Sequence, residues 1–365
     1  MSDLQYLLAL NSLSEVGPVT ARRLLAAFGT PENIFRMSAD EIARVDKVNA
    51  KKAREIADFN NWDAVEKQIE KAEKHNIRLV TFEDDLYPEG LRHINAAPLV
   101  LYIKGDITEV DKYSVAIVGS RKATEYGMQA ADRLSQELAS SGLTIVSGMA
   151  MGVDTISHKG ALKAKGRTLA VLGSGLDVPY PASNRALIEQ IAASGAVMSE
   201  FPLGTPPLRE NFPRRNRIIS ALSLGVIVVE GAPGSGSLIT VKYALEQGKE
   251  VFAVPGNIYS RNSKGTNGLI KKGAKLVESA EDVIEELSLQ IKGIIREEKL
   301  QHERPVPKMS GDESMIYNCL LNEPKHIDTI IRGTDMPTGR ALSTLLNLEL
   351  RGIVRQAEGK LFSLN

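Results

Sequence analysis

The sequence has one cysteine and few aromatic residues. Of its 365 residues, only Cys319 carries a thiol, and 5% are aromatic. A single cysteine excludes an internal disulfide and any zinc site built from several thiolates. Because Cys319 lies in the apolar run 315–321, we expect it to be a buried structural thiol.

The chain also has no excess of either charge and no long apolar run. Lys plus Arg and Asp plus Glu both number 45, which gives a formal net charge of zero. A surface for a polyanion must therefore be a local patch. No run of about 18 apolar residues could span a membrane, and residues 1–10 lack the basic region of a secretory signal. These features predict a cytoplasmic protein without membrane contact.

The sequence lacks the fingerprints of common cofactor and metal sites. A dinucleotide loop needs Gly-x-Gly-x-x-Gly, which neither the turn at Gly119 nor the turn at Gly173 satisfies, and no Gly-Lys-Ser/Thr triplet occurs. His158 has no partner at metal-ligand spacing. Asp154 lies one helical turn before His158, so we expect a structural hydrogen bond between the two. The sequence predicts no cofactor, no metal and no catalytic residue.

Residues 1–75 predict a small helical domain of the helix-hairpin-helix (SAM-like) kind. Alanine and leucine recur at spacings of three and four. Residues 16–23 recur as 45–52, and each copy is a turn that opens a basic helix, as in motifs whose N–H groups bind DNA phosphates. Asp46 replaces Gly17 in the second copy, which we therefore expect to be structural. For the whole segment, helical packing or protein contact and direct DNA contact both remain open.

Residues 76–290 predict a doubly wound α/β domain with a mainly parallel sheet. Short β-branched runs end in glycine, serine or proline and are followed by helical stretches. The runs are 99–103, 115–118, 143–146, 169–172, 196–199, 226–229 and 251–254. Strands that are apolar on both faces indicate a parallel sheet with helices on both sides. Ligands of such sheets bind at the carboxyl ends of the strands.

The turns at these strand ends predict an anion-binding edge. Glycine or proline closes nearly all of them, which lets a phosphate-sized ligand approach the backbone. The turns are 119–121, 147–152, 173–175, 200–202, 230–237 and 255–257. Helix N-termini with free N–H groups follow the turns and favour an anion.

Arginines accompany this edge and point to single-stranded DNA. Arg121 lies in the first turn, and the segment 208–217 adds Arg209, Arg214, Arg215 and Arg217. Guanidinium groups bind phosphate oxygens in pairs and stack on bases, and Phe201 and Phe212 would add stacking faces. The alternative is that some arginines pair with Glu200, Glu210 or Glu230 as internal struts. It applies most to Arg217, which directly precedes an apolar helix.

The end of the chain predicts a linker and a winged-helix domain. Residues 291–311 are charged and contain prolines. Residues 312–365 predict helices at 314–321, 326–332 and 338–351, then strands 353–355 and 360–362 around the turn Glu358-Gly359. The third helix would present Arg340, Ser343 and Thr344 outward. One arginine is few for duplex binding, so protein contact and duplex binding both remain open.

The motifs between residues 87 and 277 resemble, in one order, the DprA/Smf family of DNA-processing proteins. The motifs include Val-Gly-Ser-Arg at 118–121, Ser-Gly-Met-Ala at 147–150, His-Lys-Gly at 158–160, Phe-Pro-Arg-Arg-Asn-Arg at 212–217, Ser-Gly-Ser at 235–237 and Val-Pro-Gly at 254–256. The resemblance implies an extended Rossmann-like domain that binds and protects incoming single-stranded DNA. It also implies a homodimer that helps to load the RecA recombinase during natural transformation.

The predicted DNA-binding residues come from this domain alone. They are Gly119, Ser120, Arg121, Gly148, Lys159, Asn184, Arg185, Arg214, Arg215, Asn216, Arg217, Gly236, Ser237 and Gly256. The terminal domains vary within the family, so no residue of theirs is included.

The alternative function on the same fold is a phosphoribohydrolase-like, nucleotide-processing enzyme. Such enzymes use Pro-Gly-Gly-x-Gly-Thr followed by a catalytic glutamate. Here residues 233–240 read Pro-Gly-Ser-Gly-Ser-Leu-Ile-Thr, one residue shorter and without the acid. The missing glutamate favours a protein that is not an enzyme.

Overall fold

The computed structural model describes residues 1–301, 309, 311–320, 325–334, 336–351, 353–357 and 360–364. The chain divides into two compact units, Met1–Ile294 and Ile295–Asn365. The first unit contains the predicted helical segment and the α/β part, and the second contains the predicted winged helix. Among the residues just given, no helix combines the length and the apolar character needed to cross a membrane.

Residues 1–75 are helical, as predicted. The helices are α1 (Asp3–Ser12), α2 (Pro18–Phe28), α3 (Pro31–Arg36), α4 (Ala39–Ala43), α5 (Ala50–Ala57) and α6 (Trp62–Lys74). Ser38 caps α4 through a capping box with Glu41, and the side chain of Asn49 accepts a hydrogen bond from the N–H of Lys52 at the start of α5. The apolar faces of these helices bury Leu7 and Leu24 completely. Helix formation here follows the three- and four-residue spacing of the sequence.

The two hairpin copies differ in backbone and in partners. Lys47, in the second copy, lies at φ +63, a left-handed conformation that is strained for lysine. The loop before the first copy donates the N–H groups of Ser14 and Glu15 to the carboxylate of Glu55, at 2.9 and 3.1 Å. Those two N–H groups are therefore satisfied inside the protein rather than offered to a phosphate.

A nine-stranded sheet forms between residues 78 and 276. Its strands are β1 (Arg78–Thr81), β2 (Val100–Gly105), β3 (Ser114–Val118), β4 (Thr144–Ser147), β5 (Thr168–Val171), β6 (Ala196–Ser199), β7 (Gly225–Val228), β8 (Glu250–Ala253) and β9 (Lys275–Leu276). Their order is β1-β2-β6-β5-β4-β3-β7-β8-β9. Pairing is parallel from β6 through β9 and antiparallel for β1 with β2 and β2 with β6. The mainly parallel, doubly wound sheet predicted from the sequence is confirmed.

Helices cover both faces of this sheet. They are α7 (Glu89–Arg92), α8 (Glu125–Ser140), α9 (Val153–Lys163), α10 (Arg185–Ser194), α11 (Asn211–Leu222), α12 (Gly236–Glu246), α13 (Ser263–Ile270) and α14 (Ala280–Gln301). Along β3, Val115 and Ile117 pack into the core under α8 and α9, whereas Ala116 and Val118 pack into the core under α11 and α12. This alternation buries both faces of the strand, as its continuous apolar sequence requires.

The N-terminal helices share one core with the α/β part. Leu7 and Leu24 belong to the same apolar cluster as Tyr102 and Val197 of the sheet. Polar contacts add to this packing, since Lys71 Nζ lies 2.6 Å from Asp177 Oδ2. The boundary predicted at residue 75 therefore separates two parts of one compact unit.

The second unit has the three predicted helices and the two predicted wing strands, and a short strand that was not predicted, β10 (Lys325–His326), precedes its second helix. Its elements are α15 (Gly311–Cys319), β10, α16 (Ile327–Thr334), α17 (Thr338–Leu350), β11 (Val354–Ala357) and β12 (Leu361–Leu364), with the strands ordered β10-β12-β11. Ile316, Ile330, Leu345 and Phe362 lie in its core. The predicted turn residues Glu358 and Gly359 lie outside the described residues. Helix α14 runs to Gln301, so the first half of the predicted linker 291–311 is helical.

Three details of the second unit differ from expectation. Thr344 is 8% exposed rather than outward-facing, because it lies on the same helical stripe as the core residues Ala341 and Leu348. Arg340 is paired with Asp312, with 2.5 Å between Nε and Oδ2. Cys319 is half-buried rather than buried. Of the three residues predicted to face outward on the third helix, the one arginine, Arg340, is thus already in an ion pair.

Candidate nucleic-acid interface

A cavity of about 730 Å³ opens at the carboxyl ends of the central strands. It lies where β3 pairs with β4 on one side and with β7 on the other, so the helices after these strands leave on opposite faces of the sheet. Such a switch point is where open parallel sheets bind ligands. The cavity is lined by the turn after β3, one face of α11 and the N-terminus of α12.

At the mouth of the cavity, one cation stacks on an aromatic ring, and a second ring packs against the first at a tilt of 48°. The guanidinium carbon of Arg121 lies 4.9 Å from the centroid of the Phe212 ring, and the Tyr180 ring lies 5.5 Å from Phe212 on centroids. Gly173 makes room for this stack, because a Cβ on it would lie 2.9 Å from Phe212 Cδ1. Tyr180 was not among the predicted binding residues, although an aromatic residue in the loop after a central strand is a signal that could have found it.

The turn that carries Arg121 is held from below by α9. The N–H of Val153 donates to the carbonyl of Ser120 at 3.2 Å. Gly152 has φ +78, and a Cβ on it would lie 2.3 Å from the Ser120 carbonyl oxygen. The hydroxyl of Ser120 accepts the N–H of Lys122 at 3.1 Å. Arg121 itself is exposed, so its guanidinium projects from a fixed backbone.

Arg215 forms part of the cavity floor and is 3% exposed. Its guanidinium donates to the carbonyls of Gly148 and Val171, at the ends of β4 and β5. Burial lowers the pKa of Arg215 to about 10, while Asp154 acts against that shift. Burial raises the pKa of the Asp154 carboxyl, and Arg215 opposes this shift in turn. A Cβ on Gly148 would lie 2.6 Å from the guanidinium, so this glycine makes space for Arg215.

Arg217 pairs with a glutamate inside the protein, as the alternative to DNA contact predicted. Its NH2 group lies 2.6 Å from Glu200 Oε2, and the two residues are 7% and 4% exposed. The helix that carries Arg217 begins at Asn211, seven residues earlier than expected, because Pro213 is tolerated in a first helical turn.

One aromatic and one polar residue near Arg217, Phe201 and Asn216, also have their partners inside the protein. Phe201 is buried and lies under the guanidinium of Arg214 at 5.4 Å, so the expected stacking face for a base is not available. Asn216 donates to the carbonyl of Gly236 at 3.2 Å and thereby ties α11 to the start of α12.

The predicted DNA-binding residues divide into two groups. Seven line the cavity, namely Gly119, Ser120, Arg121, Arg215, Asn216, Gly236 and Ser237. The other seven do not, namely Gly148, Lys159, Asn184, Arg185, Arg214, Arg217 and Gly256.

Two of the second group serve the fold, and two are exposed on helices. Asn184 is buried and donates to the Met149 carbonyl at 3.1 Å and to Thr155 Oγ1 at 2.8 Å. Gly256 packs closely on Ser263, whose Oγ would lie 2.3 Å from an added Cβ. Lys159 and Arg185 are exposed on α9 and α10.

The acidic and imidazole groups near the edge serve the fold. Glu230 is buried and accepts from Thr124, at 2.9 Å from the N–H and 2.6 Å from the hydroxyl, rather than pairing with an arginine. His158 is buried, with Nδ1 2.7 Å from Thr168 Oγ1, and burial lowers its pKa to about 3. The expected hydrogen bond between His158 and Asp154 is wrong, because Asp154 turns back to accept the N–H of Ala150.

Family models match three segments of the chain. Residues 78–288 match DNA recombination-mediator protein A, residues 301–360 match the DprA winged helix domain, and residues 7–59 match a SAM-like helix-hairpin-helix tandem. Protein Smf of Synechocystis is 34% identical over 98% of both chains. DNA processing protein DprA of Bacillus subtilis is 46% identical over 59% of this chain and 72% of its own.

Two solved structures share the fold at useful identity. DNA processing protein A from Streptococcus pneumoniae superposes with a TM-score of 0.68 at 36% identity, over 77% of this chain and 97% of the other. DNA processing protein A from Helicobacter pylori, solved for its single-stranded DNA binding mode, gives a TM-score of 0.53 at 33% identity, over 58% and 97%. The chain therefore belongs to the DNA recombination-mediator protein A family, DprA/Smf.

Proposed function

We propose that this protein binds single-stranded DNA at the cavity on the carboxyl edge of its sheet and acts as a recombination mediator rather than as an enzyme. The observation that carries the proposal is the stack of Arg121, Phe212 and Tyr180 at the cavity mouth. The binding mode described for the Helicobacter pylori relative supports the choice of ligand.

The stack suits a strand whose bases are unpaired. Aromatic rings bind any base through its π-face, and an adjacent guanidinium binds the phosphate that follows. A cavity of about 730 Å³ is in the size range that encloses one small ligand, roughly 300–1,000 Å³. It admits bases splayed from a single strand and is too small for a duplex.

The charges around the cavity favour a phosphate backbone. Arg121 and Arg209 line it and are exposed, and the buried Arg215 adds a fixed cation below them. Asp154 is the acidic residue of the lining, and it is buried beside Arg215. Ser235, Gly236 and Ser237, at the N-terminus of α12, line the cavity, and the N-terminus of a helix favours an anion. A neutral protein thus has a local anion-binding surface.

The enzyme alternative lacks a placed catalytic acid. A phosphoribohydrolase needs a carboxylate that reaches the substrate. Asp154, the acid of the cavity lining, is buried beside Arg215, and Glu230 is buried under the turn that carries Arg121 and is held by Thr124 and Asn262. If purified protein hydrolysed a nucleoside monophosphate, and Glu230→Gln abolished that hydrolysis, the non-enzymatic proposal would be wrong.

The finer parts of the proposal follow from family membership. We place the protein in the cytoplasm, as a homodimer that protects incoming single-stranded DNA and helps to load RecA during natural transformation. Sedimentation tests the dimer, and RecA filament assembly on oligothymidylate tests the loading. No stimulation of assembly by wild-type protein would remove the loading role and leave DNA binding intact.

The cavity is tested by fluorescence anisotropy with labelled oligothymidylate. Arg121→Ala and Phe212→Leu should each weaken binding by about tenfold, since one stacked base or bidentate phosphate contact contributes about 1–3 kcal/mol. Arg133 is an exposed arginine on the outer face of α8. Arg133→Ala is therefore the matched control and should bind DNA as the wild type does. Equal affinity of wild type and both cavity variants would place the DNA elsewhere.

A further inference from the structure

The loop after β8 presents two large side chains to solvent. In this loop, taken together with the first two residues of α13 as residues 255–264, Tyr259 is 88% exposed and Ile258 is 71% exposed. Only Gly256 of the loop was among the predicted DNA-binding residues, and the cavity lining does not include the loop. Two adjacent exposed residues of this size suggest a contact surface.

The backbone of the β8 loop is fixed. Asn267 holds Gly256 through both groups of its amide, at 3.1 and 2.9 Å. The side chain of Asn257 accepts the N–H of Tyr259 at 2.9 Å. Tyr126, on α8, donates its hydroxyl to the carbonyl of Pro255 at 2.7 Å. The exposed ring of Tyr259 is therefore carried on an ordered support, which lowers the entropy cost of contacting a ligand.

The β8 loop is joined directly to the turn that carries Arg121. The amide of Asn262 donates to the carbonyl of Lys122 at 3.1 Å and to Glu230 Oε2 at 3.3 Å. The same Glu230 carboxylate accepts the N–H of Thr124 at 2.9 Å. One buried acid therefore fixes the loop beside the cavity mouth, on the carboxyl edge of the sheet.

The segment that contains the loop is basic, although the protein is neutral. Residues 251–277 contain no Asp or Glu and have five cations, namely Arg261, Lys264, Lys271, Lys272 and Lys275. Lys275 pairs with Glu286 at 3.0 Å. Arg261 and Lys264, two and five residues after Tyr259 in the sequence, are exposed. An exposed aromatic ring among cations is the arrangement that binds single-stranded nucleic acid without reading its sequence.

We propose that the β8 loop is a second contact for single-stranded DNA. A strand that leaves the cavity past Arg121 and Lys122 crosses the loop, where a base stacks on Tyr259 and phosphates contact Arg261 and Lys264. This inference rests on the proposed function and extends the binding path beyond the cavity.

The length of the oligonucleotide separates the two contacts. We would measure anisotropy with oligothymidylates from about 4 to 16 nucleotides, the range of site sizes for single-strand-binding folds. Tyr259→Ala should weaken binding of the long oligonucleotides by about tenfold and leave the shortest unchanged. Tyr259→Phe should retain wild-type affinity, because it keeps the ring. Arg261→Ala should reduce the slope of log affinity against log salt by about 0.7, the value for one phosphate of a single strand.

Two variants near the amino ends of the strands, away from the cavity, serve as controls. Leu245, near the end of α12, is an exposed apolar residue, and Lys165, after α9, is an exposed cation. Leu245→Ala and Lys165→Ala should bind all lengths as wild type. A loss in these variants equal to that of Tyr259→Ala would overturn the placement of the contact.

Three results would overturn the inference. If Tyr259→Ala binds every length as wild type does, the loop is not on the DNA path, and the cavity proposal stands. If it weakens the shortest and longest oligonucleotides equally, the loop acts through the cavity and not beyond it. If it changes the sedimentation of the protein but not its DNA affinity, the loop is a contact between copies. No binding by wild type at any length would instead refute the proposed function itself.

Discussion

The buried ion pair of Glu200 and Arg217 gives a sharp prediction about which arginines serve the fold. Both side chains are almost fully buried, 2.6 Å apart. Glu200→Gln keeps the shape of the side chain but leaves the guanidinium of Arg217 without a counter-charge. Breaking a buried pair in this way costs about 3–5 kcal/mol. Because Glu200 Oε1 is buried and has no hydrogen-bond partner among the described residues, the pair is only half satisfied, and we expect the lower end of that range.

A variant with both residues of the ion pair replaced distinguishes the cost of an unpaired buried charge from the contribution of the ion pair itself. Replacing both groups with apolar side chains of similar volume is often neutral. Glu200→Leu with Arg217→Met should therefore lie within about 1 kcal/mol of wild type. It should also bind oligothymidylate as wild type does, because Arg217 faces Glu200 and does not line the cavity.

Urea unfolding followed by tryptophan fluorescence measures these differences. Trp62 is the single tryptophan, and it packs on Tyr6 and Phe59 in the core that the N-terminal helices share with the sheet. The signal therefore reports on the unit that contains the ion pair. A loss below about 1 kcal/mol for Glu200→Gln would mean that the pair is screened as a surface pair is. Intact folding with weakened DNA binding in the double variant would restore Arg217 to the DNA-binding set.

Three further predictions address the cavity, its histidine and the second unit. Gly173→Ala places a Cβ 2.9 Å from Phe212 Cδ1, so it should displace the stack of Arg121, Phe212 and Tyr180. Oligothymidylate binding measured by anisotropy should weaken several-fold, and unchanged binding would contradict the role of the stack. The pKa of His158 is about 3 in the folded state and 6.5 in the unfolded state, so the unfolded state binds more protons between these two pH values. The free energy of unfolding therefore falls as the pH drops below about 6.5, by up to about 1.4 kcal/mol per pH unit. His158→Asn should flatten this dependence in urea titrations at pH 5 and 7, and an unchanged slope would contradict it. Removal of residues 310–365 should leave the anisotropy-measured affinity for oligothymidylate unchanged, and lost binding would place the DNA contact in the winged helix.

The sequence predicted the sheet well because its strands carry a strong local signal. Seven predicted runs correspond to β2 through β8, each apolar and closed by a turn residue. The two strands it missed are the sheet edges. β9 has two residues, both exposed, so it has no apolar run to detect. β1 has a single pair of apolar residues, Leu79 and Val80, and owes its place to antiparallel pairing with β2. Pairing between distant segments is a tertiary effect that local patterns do not contain.

The sequence did not predict which of the arginines line the cavity, because residue type does not tell which way a side chain faces. Arg214, Arg215 and Arg217 looked like one cationic cluster when the segment was taken as a loop. On α11, successive residues turn by about 100°, so three such neighbours cannot share a face. The face that lines the cavity carries Phe212, Asn216 and Ile219 as well as Arg215, at helical spacing.

The same geometry explains why the protein uses so many arginines at one edge. Arg215 and Arg217 point inward from α11. Two backbone carbonyls accept hydrogen bonds from Arg215, and the Glu200 carboxylate neutralises Arg217, so three strand ends are tied to the helix. With those ends fixed, the exposed Arg121 is carried by a rigid turn, and its guanidinium stays over Phe212 without a bound strand. A ligand then meets a cation and a ring already in place, which lowers the entropy cost of binding. Substitutions of the buried arginines should therefore act first on stability, and substitutions of Arg121 should act on affinity alone.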